Sequence, residues 1–155
     1  MKLTKQRLKS PLLLFFHQDQ EIQKIIPQHQ KYTKSIKVKK KIIGICLGFQ
    51  QILFCEGAQI VEQKKIYHGF QSDIEVTSNK SLFKKGKKFK VGRYHSLKLK
   101  EPFKIKDFEI TMRCSESKVA MSFENNKNKI YGFQYHPESF LTNNGNLLIK
   151  KILSA

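Results

Sequence analysis

The sequence predicts an α/β domain in which antiparallel strands extend one central strand–helix unit. The first observation is a β-branched run, Ile42–Ile45, that ends at Cys46 and passes directly into a helical stretch from Leu47 to Phe54. The second is a series of short strand-like segments downstream, separated by turn residues. Several strands around one strand–helix unit are typical of α/β domains. At 155 residues with 39% hydrophobic content, the chain is long enough for one domain with its own core.

Cys46 lies at the corner where the predicted strand turns into the predicted helix. Such a corner exposes a nucleophile on a tight turn. The free N–H groups and the dipole at the start of the helix favour a thiolate and can hold a developing oxyanion. Gly44 and Gly48 flank the cysteine two residues away on each side, where a Cβ would crowd the turn. The alternative is a buried strand whose cysteine acts only as a small hydrophobe.

The other elements are predicted from hydrophobic patterns and turn residues. Before the central unit, Pro11–Phe16 reads as a buried strand, and the helix after Cys46 is expected to stop at Gly57. Further strands are expected at Gln59–Val61, Ile66–His68, Asp73–Thr77, Leu97–Leu99, Phe108–Met112, Val119–Phe123 and Ile130–Tyr135, with a basic turn at Phe83–Lys88. A final helix opens at Asn143, with Leu147, Leu148 and Ile152 expected on one apolar face.

The formal charge of +18, from 30 Lys and Arg against 12 Asp and Glu, raises the question of a nucleic-acid partner. The positive charge is mostly lysine, scattered through 37–41, 84–90 and 98–106, and no aromatic-interleaved basic motif accompanies it. Charge alone speaks to solubility and non-specific association, so we expect no specific nucleic-acid binding.

Other classes of protein are excluded by what the sequence lacks. No run of about 18 apolar residues is present, so no membrane span is expected. The N-terminus lacks a signal-peptide layout. The three cysteines have no metal-ligand spacing, which favours reduced thiols in a cytoplasmic protein without a metal.

A catalytic thiol needs an imidazole to hold its proton and a carboxylate to orient that imidazole. Among the five histidines, His136 has a carboxylate two residues on, at Glu138. Residues two apart after a strand point the same way, and Pro137 stiffens the turn between them. An exposed loop without a catalytic role is the alternative.

Three segments together carry a family resemblance: Gly44–Gln50, Gly92–Leu97 and Gly132–Ser139. They resemble the three landmarks of class I, triad-type glutamine amidotransferases, and most of all the glutaminase subunits of anthranilate synthase and aminodeoxychorismate synthase. Ile66–Gly69 and Ser139–Thr142 are similar to further segments of that subgroup. The resemblance implies a flavodoxin-like three-layer sandwich, and it covers residues 41–155 as a partial catalytic domain.

The resemblance also implies site residues and a reaction. Cys46 would be the nucleophile, His136 the general base and then acid, and Glu138 its orienting carboxylate, with no cofactor. The Leu47 N–H would be one donor to the oxyanion. Gln50, Ser96 and Leu97 stand at positions where the family contacts its substrate, L-glutamine. Phe49 stands where the family usually has a histidine outside the triad.

The family passes ammonia to a synthase subunit (component I) that aminates chorismate. The resemblance therefore implies such a partner, with anthranilate and tryptophan biosynthesis favoured. Two alternatives stay open: aminodeoxychorismate formation for folate biosynthesis, and an impaired fragment that acts only as an interaction module.

Residues 1–40 depart from the family, which carries Ser-Pro-Gly-Pro-Gly before the nucleophile. Permitted codons for Phe16–Gln20 can spell that motif in another reading frame. We therefore expect a degenerate or frame-shifted segment here, with one slip near Phe15–Phe16 and a second before Lys41, and an N-terminally truncated domain.

Overall fold

A mixed β-sheet forms the centre of the protein in the computed structural model, which describes the backbone of residues 12–16 and all of residues 41–155. In the described residues, the sheet has seven strands in the order β1-β2-β9-β8-β7-β4-β5, and β3 pairs with β6 in a separate ribbon. The strands are β1 Leu12–Phe16, β2 Ile42–Cys46, β3 Ile60–Glu62, β4 Phe70–Val76, β5 Lys88–Arg93, β6 Leu97–Leu99, β7 Glu109–Cys114, β8 Ala120–Asn125 and β9 Ile130–Phe133. The helices are α1 Leu47–Cys55 and α2 Gly145–Leu153. The hypothesis of a shifted reading frame concerns residues outside those described.

Strand β2 lies between two parallel neighbours, β1 and β9, while the other pairs in the sheet are antiparallel. Every residue of β2 is buried, which explains why its sequence is a continuous apolar run without alternation. Parallel strands bring their carboxyl ends to the same edge of a sheet. Cys46, at the end of β2, and the residues that follow β9 therefore lie close together.

The two faces of the sheet carry separate cores, because successive side chains of a strand point to opposite sides. On one face, Phe49, Ile52 and Leu53 of α1 pack with Ile42 of β2 and with Phe123 of β8. On the other face, the core contains Leu148 and Ile152 of α2 together with Ile43. Helix, sheet and helix thus form three layers, and the predicted α/β class is confirmed.

Gly44 is needed because α1 lies directly against β2. A Cβ at this position would stand 2.6 Å from the backbone C and O atoms of Gly48 and 2.7 Å from Cδ1 of Ile52. Gly132, its partner in the β2–β9 register, would bring a Cβ into the ring of Phe123. The crowding predicted at Gly44 is confirmed.

Helix α1 ends at Cys55 with Glu56 as its C-cap, and the next residue, Gly57, has a φ of 94°, so the predicted stop at Gly57 is confirmed. Two local predictions were wrong. Ile66–His68 is not a strand; instead the Tyr67 N–H donates to the carbonyl of His95 at 3.2 Å, and the Tyr67 ring stacks on His95. Leu147 is 57% exposed while Leu148 is 2% exposed, because adjacent helical residues are about 100° apart and only one of them can face the sheet.

The carboxyl end of α2 is held by a lysine from the start of β2. The ammonium of Lys41 donates hydrogen bonds to the carbonyls of Ile152 at 2.8 Å, Leu153 at 2.7 Å and Ala155 at 2.8 Å. A positive charge at this end also complements the helix dipole. Neither helix in the described part of the chain is long and apolar enough to cross a membrane.

Candidate active site

Cys46 occupies a strained backbone position between β2 and α1. Its φ of 50° and ψ of −99° lie in a region that side-chain-bearing residues rarely adopt, at a cost of about 1–3 kcal/mol. Within residues 41–155, no side chain caps the start of α1, which leaves its first N–H groups available to another acceptor. The strained corner beside free donors is the geometry of a nucleophile elbow.

His136 lies just beyond β9, and three contacts fix its backbone and ring. Its N–H donates to the Gly92 carbonyl at 3.0 Å, and its own carbonyl accepts from Thr142 Oγ1 at 2.6 Å. The ring of Tyr94 meets the imidazole edge-on with centroids 5.1 Å apart. The ends of β5 and β9 are thereby tied together at this histidine.

The imidazole of His136 lies between a thiol and a carboxylate. Its Nδ1 is 2.7 Å from Oε1 of Glu138, and the ring also interacts with the thiol of Cys46. Burial lowers the pKa of His136, but hydrogen bonds and charge interactions with Cys46 and Glu138 outweigh it and raise the pKa to about 9. The two neighbours therefore favour the protonated form of the imidazole.

A buried glutamine pair supports the sulfur from the other side. Gln134 points its Nε2 at Sγ of Cys46, 3.9 Å away, and its Oε1 accepts from Nε2 of Gln50 at 3.0 Å. The sequence analysis singled out Gln50 but missed Gln134. The available signal was spacing, because Gln134 precedes His136 by two residues and so lies on the same side of the chain.

The Ser96–Leu97 segment is held by a separate network next to this cluster. The Leu97 carbonyl lies 2.8 Å from Nδ1 of His95, whose Nε2 accepts from Nε of Arg93 at 3.0 Å. Burial and the charge of Arg93 lower the pKa of His95 to about 4, with a smaller contribution from His136. A neutral His95 that accepts at Nε2 must carry its proton on Nδ1, where it donates to Leu97. Ser96 and Leu97 are half-buried.

A family model and individual known proteins both match this chain. The family model "Glutamine amidotransferase class-I" matches residues 18–155, so the match begins upstream of the motifs that start near Lys41. Anthranilate synthase component 2 of Lactococcus lactis is 38% identical over 117 residues, which are 75% of this chain and 59% of that protein. The bifunctional protein TrpGD of Thermotoga maritima is also 38% identical over 117 residues, which are 75% of this chain and 20% of that protein.

Solved structures give the same fold. A glutamine amidotransferase from Thermotoga maritima superposes with a TM-score of 0.64 at 21% identity, and the match covers 85% of this chain and 60% of that one. This chain thus spans about three fifths of the length of the Lactococcus relative and of this structural neighbour.

Proposed function

Because this chain belongs to the class I glutamine amidotransferases, we propose that it hydrolyses L-glutamine with Cys46 as nucleophile, His136 as general base and acid, and Glu138 as the carboxylate that orients His136. The observation that carries the proposal is the arrangement around the imidazole, which pairs with Glu138 through Nδ1 and also interacts with the thiol of Cys46. The strained corner at Cys46 and the free donors of α1 add to it.

In the proposed first half-reaction, the proton shared by Cys46 and His136 lies on the imidazole, and the thiolate attacks the carboxamide carbon of glutamine. The carbonyl oxygen becomes an oxyanion, which accepts a hydrogen bond from the Leu47 N–H. His136 then gives its proton to the departing nitrogen, the C–N bond breaks, and ammonia leaves behind a thioester on Cys46.

In the second half-reaction, His136 takes a proton from a water molecule that attacks the thioester. The C–S bond breaks, the sulfur recovers its proton, and glutamate is released. Glu138 holds the imidazole in one orientation throughout and stabilises its protonated form. Gln134, which is held by Gln50, supports this cycle, because the Nε2 of Gln134 stabilises the sulfur of Cys46 whenever the sulfur is negatively charged.

The substrate pocket of the proposal lies between α1 and the Ser96–Leu97 segment. Gln50 on α1 and the backbone of Ser96 and Leu97 are proposed to bind glutamine. The rigid Arg93–His95–Leu97 network supports this role, because a preorganised segment loses less freedom when a ligand binds.

We further propose that the released ammonia passes to a synthase subunit that aminates chorismate. The support is the name of the relatives, anthranilate synthase component 2, and tryptophan biosynthesis is accordingly favoured over the folate branch. The product identifies the branch: the chain mixed with each candidate synthase subunit, chorismate and glutamine yields anthranilate in one case and aminodeoxychorismate in the other.

The test of hydrolysis compares the chain with Cys46→Ala, measuring glutamate released from glutamine with and without the synthase subunit. We expect Cys46→Ala to lose at least about 10³-fold in rate, as when the nucleophile of a catalytic triad is removed. Cys55→Ala is the matched control, because the half-buried Cys55 lies at the other end of α1, and it should retain its rate within about threefold. Equal rates for the chain and Cys46→Ala would contradict the enzymatic proposal and favour an interaction module.

A further inference from the structure

An open cavity of about 730 Å³ lies at the edge of the sheet, between β5, the turn before it and the first turns of α2. Its rim is built largely from lysines, namely Lys84, Lys87, Lys88, Lys90 and Lys151. We call this feature the lysine cavity. It does not include Cys46, His136 or Glu138, and the proposed hydrolysis makes no use of it.

The charge of the lysine cavity is mostly uncompensated. Lys90 pairs with Asp73 at 3.1 Å. Throughout residues 41–155, no carboxylate forms an ion pair with the other four lysines of the rim. A concave surface with one sign of charge concentrates ligands of the opposite sign.

The floor of the lysine cavity is apolar. Leu147 of α2 is 57% exposed, although the helix has a sheet to pack against. Phe89 is half-buried; its ring meets Phe83 edge-on at 5.8 Å, and the ammonium of Lys87 lies 5.2 Å from its centroid. An exposed apolar patch inside a charged rim is typical of a protein-binding site.

Charge complementarity decides among the possible occupants. The chain's own residues 1–40 carry nine lysines and Arg7 against Asp19 and Glu21, so this basic segment would be repelled. A second copy brings a net charge of +18 and would be repelled as well. Nucleic acid matches the charge, but the most exposed residue of the floor, Leu147, is aliphatic and offers a base no aromatic ring to stack on.

We propose that the lysine cavity binds an acidic peptide segment of a partner protein, with an apolar side chain of that segment seated over Leu147 and Phe89. The carboxylates of the segment lie against the free lysines of the rim. The binding needs no glutaminase activity, so it stands or falls independently of the proposed reaction.

The test uses the full chain and two fluorescent probe peptides in about 0.15 M salt, where surface charges are screened beyond about 8 Å. The first peptide is Glu-Glu-Leu-Glu-Asp-Leu-Glu-Glu, and the second has both leucines replaced by serine. Fluorescence anisotropy measures the affinity for each. Circular dichroism verifies that the variants stay folded, which is expected because the substituted side chains are exposed.

The double variant K87E/K151E is compared with K104E/K106E, an exposed pair outside the lysine cavity with the same change in net charge. We expect the cavity pair to weaken binding of the leucine peptide by at least about tenfold and the control pair by less than about threefold. Leu147→Ser should weaken binding of the leucine peptide and leave the serine peptide unchanged. Equal losses for the two charge-reversed variants, no binding of either peptide, or displacement of the leucine peptide by an equally charged oligonucleotide at equal concentration would overturn the proposal.

Discussion

Replacement of Gly44 by alanine tests the claim that α1 lies against β2 without room for a side chain. The added Cβ would be 2.6 Å from two backbone atoms of Gly48 and 2.7 Å from Cδ1 of Ile52. The isoleucine side chain can rotate away, but the backbone of Gly48 cannot. Relief therefore requires the helix to move as a body.

The size of the effect follows from these distances. Carbon atoms pack at about 3.5 Å or more, so a contact at 2.6 Å demands a shift of roughly 0.9 Å. Overpacking of this kind costs about 1–3 kcal/mol, and we expect the upper end because backbone atoms are involved. The shift also moves Cys46 and Leu47, and a misplacement near 1 Å can cost about 10²-fold in rate.

Urea unfolding provides the measurement, and Gly86→Ala provides the control. Gly86 has a φ of 83°, and a Cβ there would meet nothing within 4 Å, so its replacement adds backbone strain without crowding. We expect Gly86→Ala to lower the free energy of unfolding by about 1 kcal/mol and Gly44→Ala to lower it by about 3 kcal/mol. A Gly44→Ala variant as stable as the parent, or less destabilised than Gly86→Ala, would refute the close approach of α1 and β2.

Three further predictions concern the site and the end of α2. Because the φ of Cys46 is 50°, Cys46→Gly should be more stable than Cys46→Ala by about 1 kcal/mol in thermal unfolding; the opposite order would exclude strain at the corner. The pKa of His136 is raised from 6.5 to about 9, so its charged pair with Glu138 stabilises the fold fully below pH 6.5 and this contribution is lost as the pH rises through about 9. Glu138→Gln should thus be about 1 kcal/mol less stable than the parent near pH 6, with the difference narrowing above pH 9, whereas a constant difference would contradict the pairing. Lys41→Met should cost about 1–2 kcal/mol in urea unfolding, because three carbonyls at the end of α2 lose a charged donor. The exposed Lys127→Met, which loses one surface ion pair, should cost less than about 0.5 kcal/mol, and equal losses would show that the cap contributes nothing.

The strand–helix unit around Cys46 could be predicted because its determinants are local. A β-branched run, a small residue at the contact and an apolar helix follow one another in a dozen residues, and each favours the element that forms. The pairing of β2 with β9 could not be predicted from local patterns, because the paired residues are 88 positions apart in the sequence.

Arg93 shows why the prediction at Ile66–His68 failed. This arginine is fully buried, its guanidinium lies 3.4 Å from the centre of the Tyr67 ring, and burial lowers its pKa. A buried charge stacked on an aromatic ring is a tertiary arrangement that overrides the local preference for a strand. No pattern within residues 66–68 carries that information.

The residues of the candidate site also differ in how far the local sequence could reveal them. The sequence singled out Cys46, His136 and Glu138 by residue type and spacing, and the structure places their side chains in contact. Gln134 was missed because a glutamine carries no chemical signature of its own. Its spacing of two residues before His136 is a weak signal, and the distance of 3.9 Å from its Nε2 to Sγ of Cys46 establishes the contact.

Covalent labelling of the sulfur tests the central claim most directly, because it identifies the nucleophile without requiring turnover. The chain is incubated with a glutamine analogue that carries an electrophilic ketone in place of the carboxamide, and its peptides are analysed by mass spectrometry. Cys55 and Cys114 are internal controls, of which Cys114 is buried and Cys55 partly exposed. The account predicts modification of Cys46 alone, prevented by excess L-glutamine and absent from His136→Ala. Labelling of Cys55 in preference to Cys46, or labelling of Cys46 that glutamine does not prevent, would contradict it.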